Sequence, residues 1–298
     1  MYPLGALRVQ TSELKKCLNS VLYIIDKGDG AQWMNCVGMI PYKNDDVTKL
    51  SFIGSGTVGI ATSNLSVEES TLNGAMPNMA VPVAAFSTAA KYLGGEITLI
   101  NIMAKGEANN LGESSKPFAL LLVDSTGATF LISLHSQEYS AKMLDIAVDT
   151  NNTAKFKATV EGKDIANAIR VASVGEEHVG VVISEDKKGI GIFESKTRKK
   201  GAVVKANTSG ELAGDVIVNG YYLSKCVSIY SGDILIKSNI GGVIGEPAVV
   251  CVVGNEGFSI LLPIKNRADE KVHSNAANKA EKDAKEEKTK DAEINGEE

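Results

Sequence analysis

Val216-Ile217-Val218-Asn219 leads into a short helical stretch, Tyr221 to Ser228, then the turn pair Ser231-Gly232, then the run Asp233-Ile234-Leu235-Ile236. About 137 residues earlier the same parts stand in the same order. Ala80-Val81-Pro82-Val83 leads into a helical stretch from Ala85 to Tyr92, then Gly94-Gly95, then Glu96-Ile97-Thr98-Leu99. Solenoid repeats run to roughly 20–50 residues, so a period this long marks a duplicated domain. The two copies differ most at surface positions. What they share is a shape.

The flanking sequence extends the duplication. The first unit opens with a strand, Ala6 to Thr11, and Ser12 reads as the N-cap of a helix. Leu14, Leu18, Val21 and Ile25 fall on one face of that helix. Strands are predicted over Met34–Pro41, Lys49–Gly54 and Val58–Thr62, and, after the second helix, near 96–103, 117–123 and 128–134. The second unit follows the same plan. Strand Lys155–Val160 enters helix Lys163–Ala172, strands follow near 179–184, 189–195 and 201–206, and helix 221–230 precedes strands near 233–238, 247–253 and 257–264. Each unit is a β-α-β-β-β motif written twice. This predicts an α+β fold, with helices on one side of curved antiparallel sheets. The expected boundaries are 1–140 for the first domain, 141–153 for a linker and 154–266 for the second domain. From 267 to 298 the chain is rich in Lys, Glu, Asp, Ala and Asn and poor in large apolar residues, so a disordered tail is expected there.

Size and composition agree. A chain of 298 residues has room for about two domains. It is 44% apolar and 22% charged, as ordinary soluble proteins are. Aromatic residues make up only 5%, which leaves little material for stacking on unpaired bases. The four cysteines, Cys17, Cys36, Cys226 and Cys251, have no C-x-x-C spacing and there are three histidines, so no zinc site and no cofactor is expected. Free thiols in a reducing cytosol are the expectation. The N-terminus lacks the pattern of a signal peptide, and no apolar run is long enough to span a membrane, so a cytoplasmic location is expected.

The helices carry an uneven charge. Helix 163–172 turns Ile165, Ile169 and Ala172 to a core and sets Lys163, Asn167 and Arg170 on the opposite face. The first helix offers Lys15 and Lys16 beside Asn19, helix 85–92 offers Lys91, and helix 221–228 offers Lys225. With the first helix taken from Leu14 to Ile25, Asp164 is the one acid among them. On a chain of net charge −5, that asymmetry stands out. Solvated helix faces bearing ordinary lysines are one explanation. The other is a basic surface for a phosphate backbone, bound without regard to base sequence because Lys and Arg displace counterions whatever the bases are.

Gly54-Ser55-Gly56-Thr57-Val58-Gly59 satisfies G-x-G-x-x-G. A dinucleotide fold needs a helix directly after this turn, and the β-prone Ile60-Ala61-Thr62 follows instead. No Walker A, H-E-x-x-H or G-x-S-x-G pattern occurs. The chain is therefore not read as an enzyme.

The second unit resembles the last domain of the bacterial DNA polymerase sliding clamp. The residues that carry the resemblance are Lys163 to Ala172, Gly189-Ile190-Gly191-Ile192, Val218-Asn219-Gly220-Tyr221-Tyr222-Leu223 and Phe258-Ser259-Ile260-Leu261-Leu262-Pro263-Ile264. The first unit matches more loosely through Leu7 to Leu18, Cys36-Val37-Gly38-Met39 and Ala80-Val81-Pro82. The likeness covers about residues 6–265. It implies clamp domains whose helices line the inside of a ring around duplex DNA, with a replicative polymerase tethered for processivity. Lys15, Lys16, Lys91, Lys163, Asn167, Arg170 and Lys225 would then face DNA. The bacterial ring has six domains, three per chain. Two per chain implies a head-to-tail homotrimer, as in some phage clamps, and a bacteriophage is a plausible source.

The resemblance also implies a pocket for apolar peptides of the polymerase and the clamp loader. By position it comprises Cys36, Ser55, Thr57, Val58 and Ile60 with Ile260, Leu262, Pro263 and Ile264, alongside the 141–153 linker. At Thr57-Val58-Gly59-Ile60 the family often has Gly, an aromatic or His, Arg and Leu, and here only the last position fits. Plain core packing explains the same residues equally well. A scaffold protein of clamp shape that binds partner peptides without encircling DNA is the alternative to the ring.

Overall fold

The structure is a computed structural model that describes residues 1–25, 35–44, 47–72, 78–105, 116–135, 152–175, 178–183, 188–210, 216–230, 232–238, 250–255 and 257–262. All of them lie in one compact unit, Met1–Pro263. The expected linker falls almost wholly outside the described residues, and the expected tail, Pro263 and Ile264 fall entirely outside them.

The first half runs β1 (Tyr2–Gln10), α1 (Thr11–Leu22), β2 (Cys36–Asn44), β3 (Val47–Gly56), β4 (Gly59–Ser66), β5 (Glu69–Ser70), β6 (Met79–Pro82), α2 (Val83–Tyr92), β7 (Ile97–Ala104), β8 (Pro117–Asp124) and β9 (Thr129–Ser133). The second half repeats that order: β10 (Phe156–Glu161), α3 (Gly162–Ala172), β11 (His178–Ile183), β12 (Gly189–Glu194), β13 (Gly201–Lys205), β14 (Asn207–Ser209), β15 (Val216–Asn219), α4 (Gly220–Ile229), β16 (Asp233–Ser238), β17 (Val250–Gly254) and β18 (Gly257–Leu261). The fold is α+β, and every strand pairing is antiparallel.

Each helix starts directly off its strand. The backbone N–H of Thr11 still donates to Glu96 O at 2.8 Å, continuing the β1–β7 ladder into the first helical residue. The Thr11 hydroxyl pairs with Thr98 Oγ1 in the core. Ser12 is thus not the N-cap. It sits inside α1, and Gln10 holds the cap position without a side-chain bond. Among the described helices, only α4 has a side-chain cap, where Asn219 Oδ1 accepts from the N–H groups of Tyr221 and Tyr222 at 3.0 and 3.3 Å.

The strands form three sheets, ordered β5-β1-β7-β8-β9, β13-β12-β11-β15 and, with nine strands, β14-β10-β16-β17-β18-β4-β3-β2-β6. The nine-stranded sheet crosses from one half to the other where β18 pairs with β4, with Ser259 opposite Ala61, Ile260 opposite Ile60 and Leu261 opposite Gly59. Gly59 has φ +154°, and a Cβ there would lie 2.0 Å from Ile260 O, so the seam closes only over a glycine. Gly54–Gly59 forms the tip of the β3–β4 hairpin, with Thr57-Val58 as its two-residue loop.

A buried polar cluster ties the halves together beneath that seam. Tyr23, just past α1, donates to Ser259 Oγ on β18 at 2.9 Å, and its oxygen lies 3.0 Å from Cys226 Sγ on α4. The Tyr230 hydroxyl stands 3.4 Å from the same Ser259 oxygen. Gly254 leaves room for the Tyr230 ring, which a Cβ would meet at 2.1 Å. Burial first, then the neighbouring Cys226, holds the Tyr23 phenol well above its ordinary pKa, and burial pushes the Cys226 thiol up to about 12. Both groups are neutral near pH 7. The neutral Tyr23 favours the folded state below the unfolded phenol's pKa of about 10, and that contribution fades as pH rises past it. Tyr23→Phe is expected to cost about 1 kcal/mol in urea unfolding, because it removes the phenol's buried contacts with Ser259 and Cys226. Combined with Ser259→Ala, it should cost clearly less than the sum of the two single changes. Strict additivity would show that the cluster does not act as a unit.

Two further turns are organised by buried carboxylates. Asp124, at the end of β8, accepts from the Thr126 hydroxyl (2.6 Å) and from the N–H groups of Gly94 (2.7 Å), Gly95 (3.1 Å), Thr126 and Ala128 (both 2.9 Å). These bonds, the Thr126 hydroxyl first, hold its carboxyl well below the usual range. Glu194 takes the Thr197 hydroxyl and the Lys199 N–H in the same way, and its pKa is also lowered.

Candidate nucleic-acid interface

The four described helices adjoin one another across both halves. Helix α1 packs on α2 and α3 packs on α4. Helix α4 meets the end of α1 through Cys226 and Tyr23. The reason lies in the sequence of each helix. Leu14, Cys17, Leu18 and Val21 of α1, Phe86, Ala89 and Ala90 of α2, Ile165, Ala168, Ile169 and Ala172 of α3, and Leu223, Cys226 and Val227 of α4 are all buried. The opposite faces are left to solvent.

On those faces Lys16, Lys91, Lys163, Asn167, Arg170 and Lys225 are exposed. Lys15 differs, being half-buried with its Nζ donating to Leu93 O, 2.5 Å away, at the carboxyl end of α2. A cation there complements the helix dipole. Arg170 Nη2 donates to Asn167 Oδ1 at 3.2 Å, one turn back on α3. Lys225 Nζ stands 5.5 Å from the centre of the Tyr221 ring, and Lys91 Nζ 5.8 Å from that of Tyr92. The helices carry Lys15, Lys16, Lys91, Lys163, Arg170 and Lys225 against two acids, Glu13 and Asp164. Glu13 joins the tally because α1 begins at Thr11 rather than at Leu14. Both acids occupy first turns, where a carboxylate favours the helix.

Sequence reasoning missed a cleft between α3 and α4. It has a volume of about 520 Å³ and is bordered by Asn167, Arg170, Ser173, Tyr221 and Ser224 over Ile169. Tyr221 is 59% exposed and rests edge-on against Tyr222, with ring centroids 5.3 Å apart. The Ser173 hydroxyl oxygen is buried and has no hydrogen-bond partner among the described residues.

The residues expected to form a peptide pocket gather at the β4–β18 seam. Cys36, Ile60 and Ile260 belong to a second apolar cluster with Ile53, Ala80 and Cys251, flanked by Ile40, Val253 and Phe258. Their side chains are occupied by packing on one another, and burial raises the Cys36 thiol pKa. Ser55 is buried too. Thr57 is exposed, Val58 is half-buried and Leu262 is 45% exposed, with its N–H donating to Val58 O at 3.0 Å. Among the described members, Thr57, Val58 and Leu262 keep accessible surface, and Val58 packs against the main core rather than against this cluster.

The sheet ends complete the geometry. Among the described residues β9 pairs only with β8, and β13 only with β12. In the internal repeat β9 stands where β18 stands, and β13 where β4 stands. Among the described residues, then, β9 has no counterpart of the neighbour that β18 has, and β13 none of the neighbour that β4 has. Leu131 on β9 is 54% exposed and Val203 on β13 is 57% exposed. The turn Lys196-Thr197-Arg198-Lys199-Lys200, exposed throughout, leads into β13.

No protein-family profile matches the chain, and no curated protein matches its sequence. Solved structures do match. The β sliding clamp of Caulobacter crescentus superposes with a TM-score of 0.65 at 15% identity, over 88% of this chain and 65% of that one. The DNA polymerase III β subunit of Thermotoga maritima gives 0.64 at 14%, over 88% and 65%. A DNA polymerase III β subunit protein of Eubacterium rectale gives 0.67 at 11%, over 87% and 65%. The chain spans about 65% of the length of these clamps. Its fold is that of a sliding clamp.

Proposed function

We propose that this chain is a sliding clamp, a non-enzymatic protein that closes head to tail into a ring of three copies, encircles duplex DNA and tethers a DNA polymerase. The observation that carries the reading is the pair of sheet edges, β9 and β13, that have no outer neighbour among the described residues. Within one chain the two halves join by setting β18 against β4. The same join between chains would set β9 of one copy beside β13, and the basic turn before it, of the next. Such a contact uses two different surfaces, so repetition by rotation makes a closed ring. Two clamp domains per chain and six per ring give three copies. The proposed domains are 1–140 and 154–266.

The open edges are suited to an intermolecular seam. Counting from the helix starts, Val174 occupies the place of Tyr23 and Ala89 that of Cys226, and Phe130 lies where Ser259 does in the strand register. The polar cluster of the internal seam is thus replaced by apolar groups, and Val174 is 60% exposed. Burying such surface drives association at about 25 cal/mol per Å² before its entropic costs. The contiguous helices would then form the inner wall, with Lys15, Lys16, Lys91, Lys163, Asn167, Arg170 and Lys225 facing DNA. Weak backbone contacts suit a ring that slides, because topology rather than affinity retains it. Partner peptides of a polymerase or clamp loader would dock at Thr57, Val58 and Leu262 over the apolar seam, with Pro263 and Ile264 completing the site.

Native mass measurement of the full chain at micromolar concentration tests the reading. A three-chain species that remains on nicked circular DNA and leaves it when the circle is linearised is expected. A species that stays at one chain across that range, or that dissociates equally from circles and linear DNA, would overturn it.

A further inference from the structure

We propose that the β12–β13 hairpin is a docking surface for an acidic polypeptide segment of a protein partner, separate from the apolar seam at β4–β18. This deepens the proposed clamp reading and rests on it for the partner. From 188 to 205 the chain carries six cations, Lys188, Lys196, Arg198, Lys199, Lys200 and Lys205, against one acid, Glu194. All six cations are exposed, and Glu194 is buried. The rest of this chain of net charge −5 is therefore more acidic still. The hairpin in the same place in the first half, β3–β4, has one cation, Lys49, and no acid. Duplication kept the hairpin and gave one copy the charge.

The turn is built to point that charge outward. Glu194 accepts the Thr197 hydroxyl and the Lys199 N–H inside the turn, which leaves the cationic side chains to solvent. Lys200 Nζ donates to Val174 O at 3.0 Å and fastens the turn to the chain leaving α3. Self-contact does not account for six cations. The edge proposed to meet β13 is Thr129-Phe130-Leu131-Ile132-Ser133, which carries no charge, and the one charged residue of the neighbouring α2 is Lys91. An encircled duplex does not account for them either, because α3 packs on β12 and β13 and the hairpin stands behind a helix proposed to face DNA. Position favours a protein. At the equivalent tip of the first half, Thr57-Val58 lies beside Leu262 in the site proposed for apolar peptides. Thr57 stays exposed although β4 is paired with β18. The β12–β13 turn runs from 195 to 200 where β3–β4 has only 57 and 58, so it projects further and stays open when β13 is covered. A partner that sets an apolar segment on the first tip thus meets a cationic surface at the second, and opposite charge there speeds encounter and selects among partners.

The test uses the full chain and a fluorescein-labelled peptide of alternating Glu and Ala, with affinity read by fluorescence anisotropy over a salt series. Lys196→Ala with Lys199→Ala is expected to weaken binding roughly fivefold at low salt, the scale of losing two exposed ion pairs. Lys155→Ala with Lys157→Ala removes the same charge at and just before β10 and should change affinity less than twofold. With a 20-base-pair duplex as the probe, the turn variant should bind within twofold of wild type. Circular dichroism checks that each variant is folded. Equal losses of the peptide in the two variants, or no binding of it by wild type, would overturn the docking surface. A turn variant that loses the duplex as strongly as the peptide would assign the hairpin to nucleic acid and overturn it too. Native mass measured in parallel keeps the two readings apart. Single chains that hold the peptide through the turn would sink the ring and leave the surface standing, and three-chain rings indifferent to the peptide would do the reverse.

Discussion

Leu131→Lys is expected to convert the proposed ring into single chains. Leu131 lies in the middle of β9, on the face of the five-stranded sheet turned away from the core, since its neighbours Phe130 and Ile132 are the residues that pack inward. Its own half therefore loses nothing by the change, and the variant should unfold at the wild-type temperature. Across the proposed junction the new ammonium would meet the turn containing Arg198, Lys199 and Lys200. Like charges juxtaposed at an interface cost several kcal/mol, and roughly 3 kcal/mol at each junction is about a hundredfold in affinity. Three junctions break together in a closed ring, so native mass measurement should find the one-chain species dominant at micromolar concentration. Leu131→Glu offers the opposite sign to the same cations and should retain the ring. A ring that survives Leu131→Lys and is lost with Leu131→Glu would show that another surface closes it.

What the sequence disclosed and what it hid divide along physical lines. The helix α3 was legible because Ile165, Ile169 and Ala172 repeat at helical spacing with polar residues between them, and it is found within one residue of the predicted span. The repeated order of elements was legible for the same reason, since period and turn residues are local properties. Strands β5 and β14 were not, because they are two and three residues long and polar, and exist only as ladders on β1 and β10. Ser12 misled because a cap preference assumes an ordinary turn before the helix, whereas here the β1–β7 ladder runs into the first helical residue. Asp124 carries no local signal for a carboxylate that gathers N–H groups from a turn 30 residues away in sequence. The Tyr23–Cys226–Ser259 cluster joins residues more than 200 positions apart, which no spacing rule reaches.

Lys163→Glu with Arg170→Glu carries the second large effect. Both residues are exposed on α3, opposite the buried Ile165, Ile169 and Ala172, so the helix has no packing to lose. The change removes two cations and adds two anions on each chain. A protein that gives up two phosphate contacts loses a slope of about 1.8 in log affinity against log salt, since each contact on duplex DNA contributes about 0.9. Binding of a 20-base-pair duplex at low salt should weaken at least tenfold, and the salt dependence should flatten in step. Charge alone does not explain such an outcome if a control separates position from sign. Lys155→Glu with Lys157→Glu makes the same change in net charge on exposed positions at and just before β10, away from the helices and the open edges, and is expected to shift affinity less than twofold. Equal losses in the two pairs would mean that DNA responds to the total charge of the chain rather than to the helices, and the inner wall would lose its assignment. A helix-specific loss together with unchanged native mass would separate the two halves of the mechanism: the sheet edges that close the ring and the helices that meet the duplex.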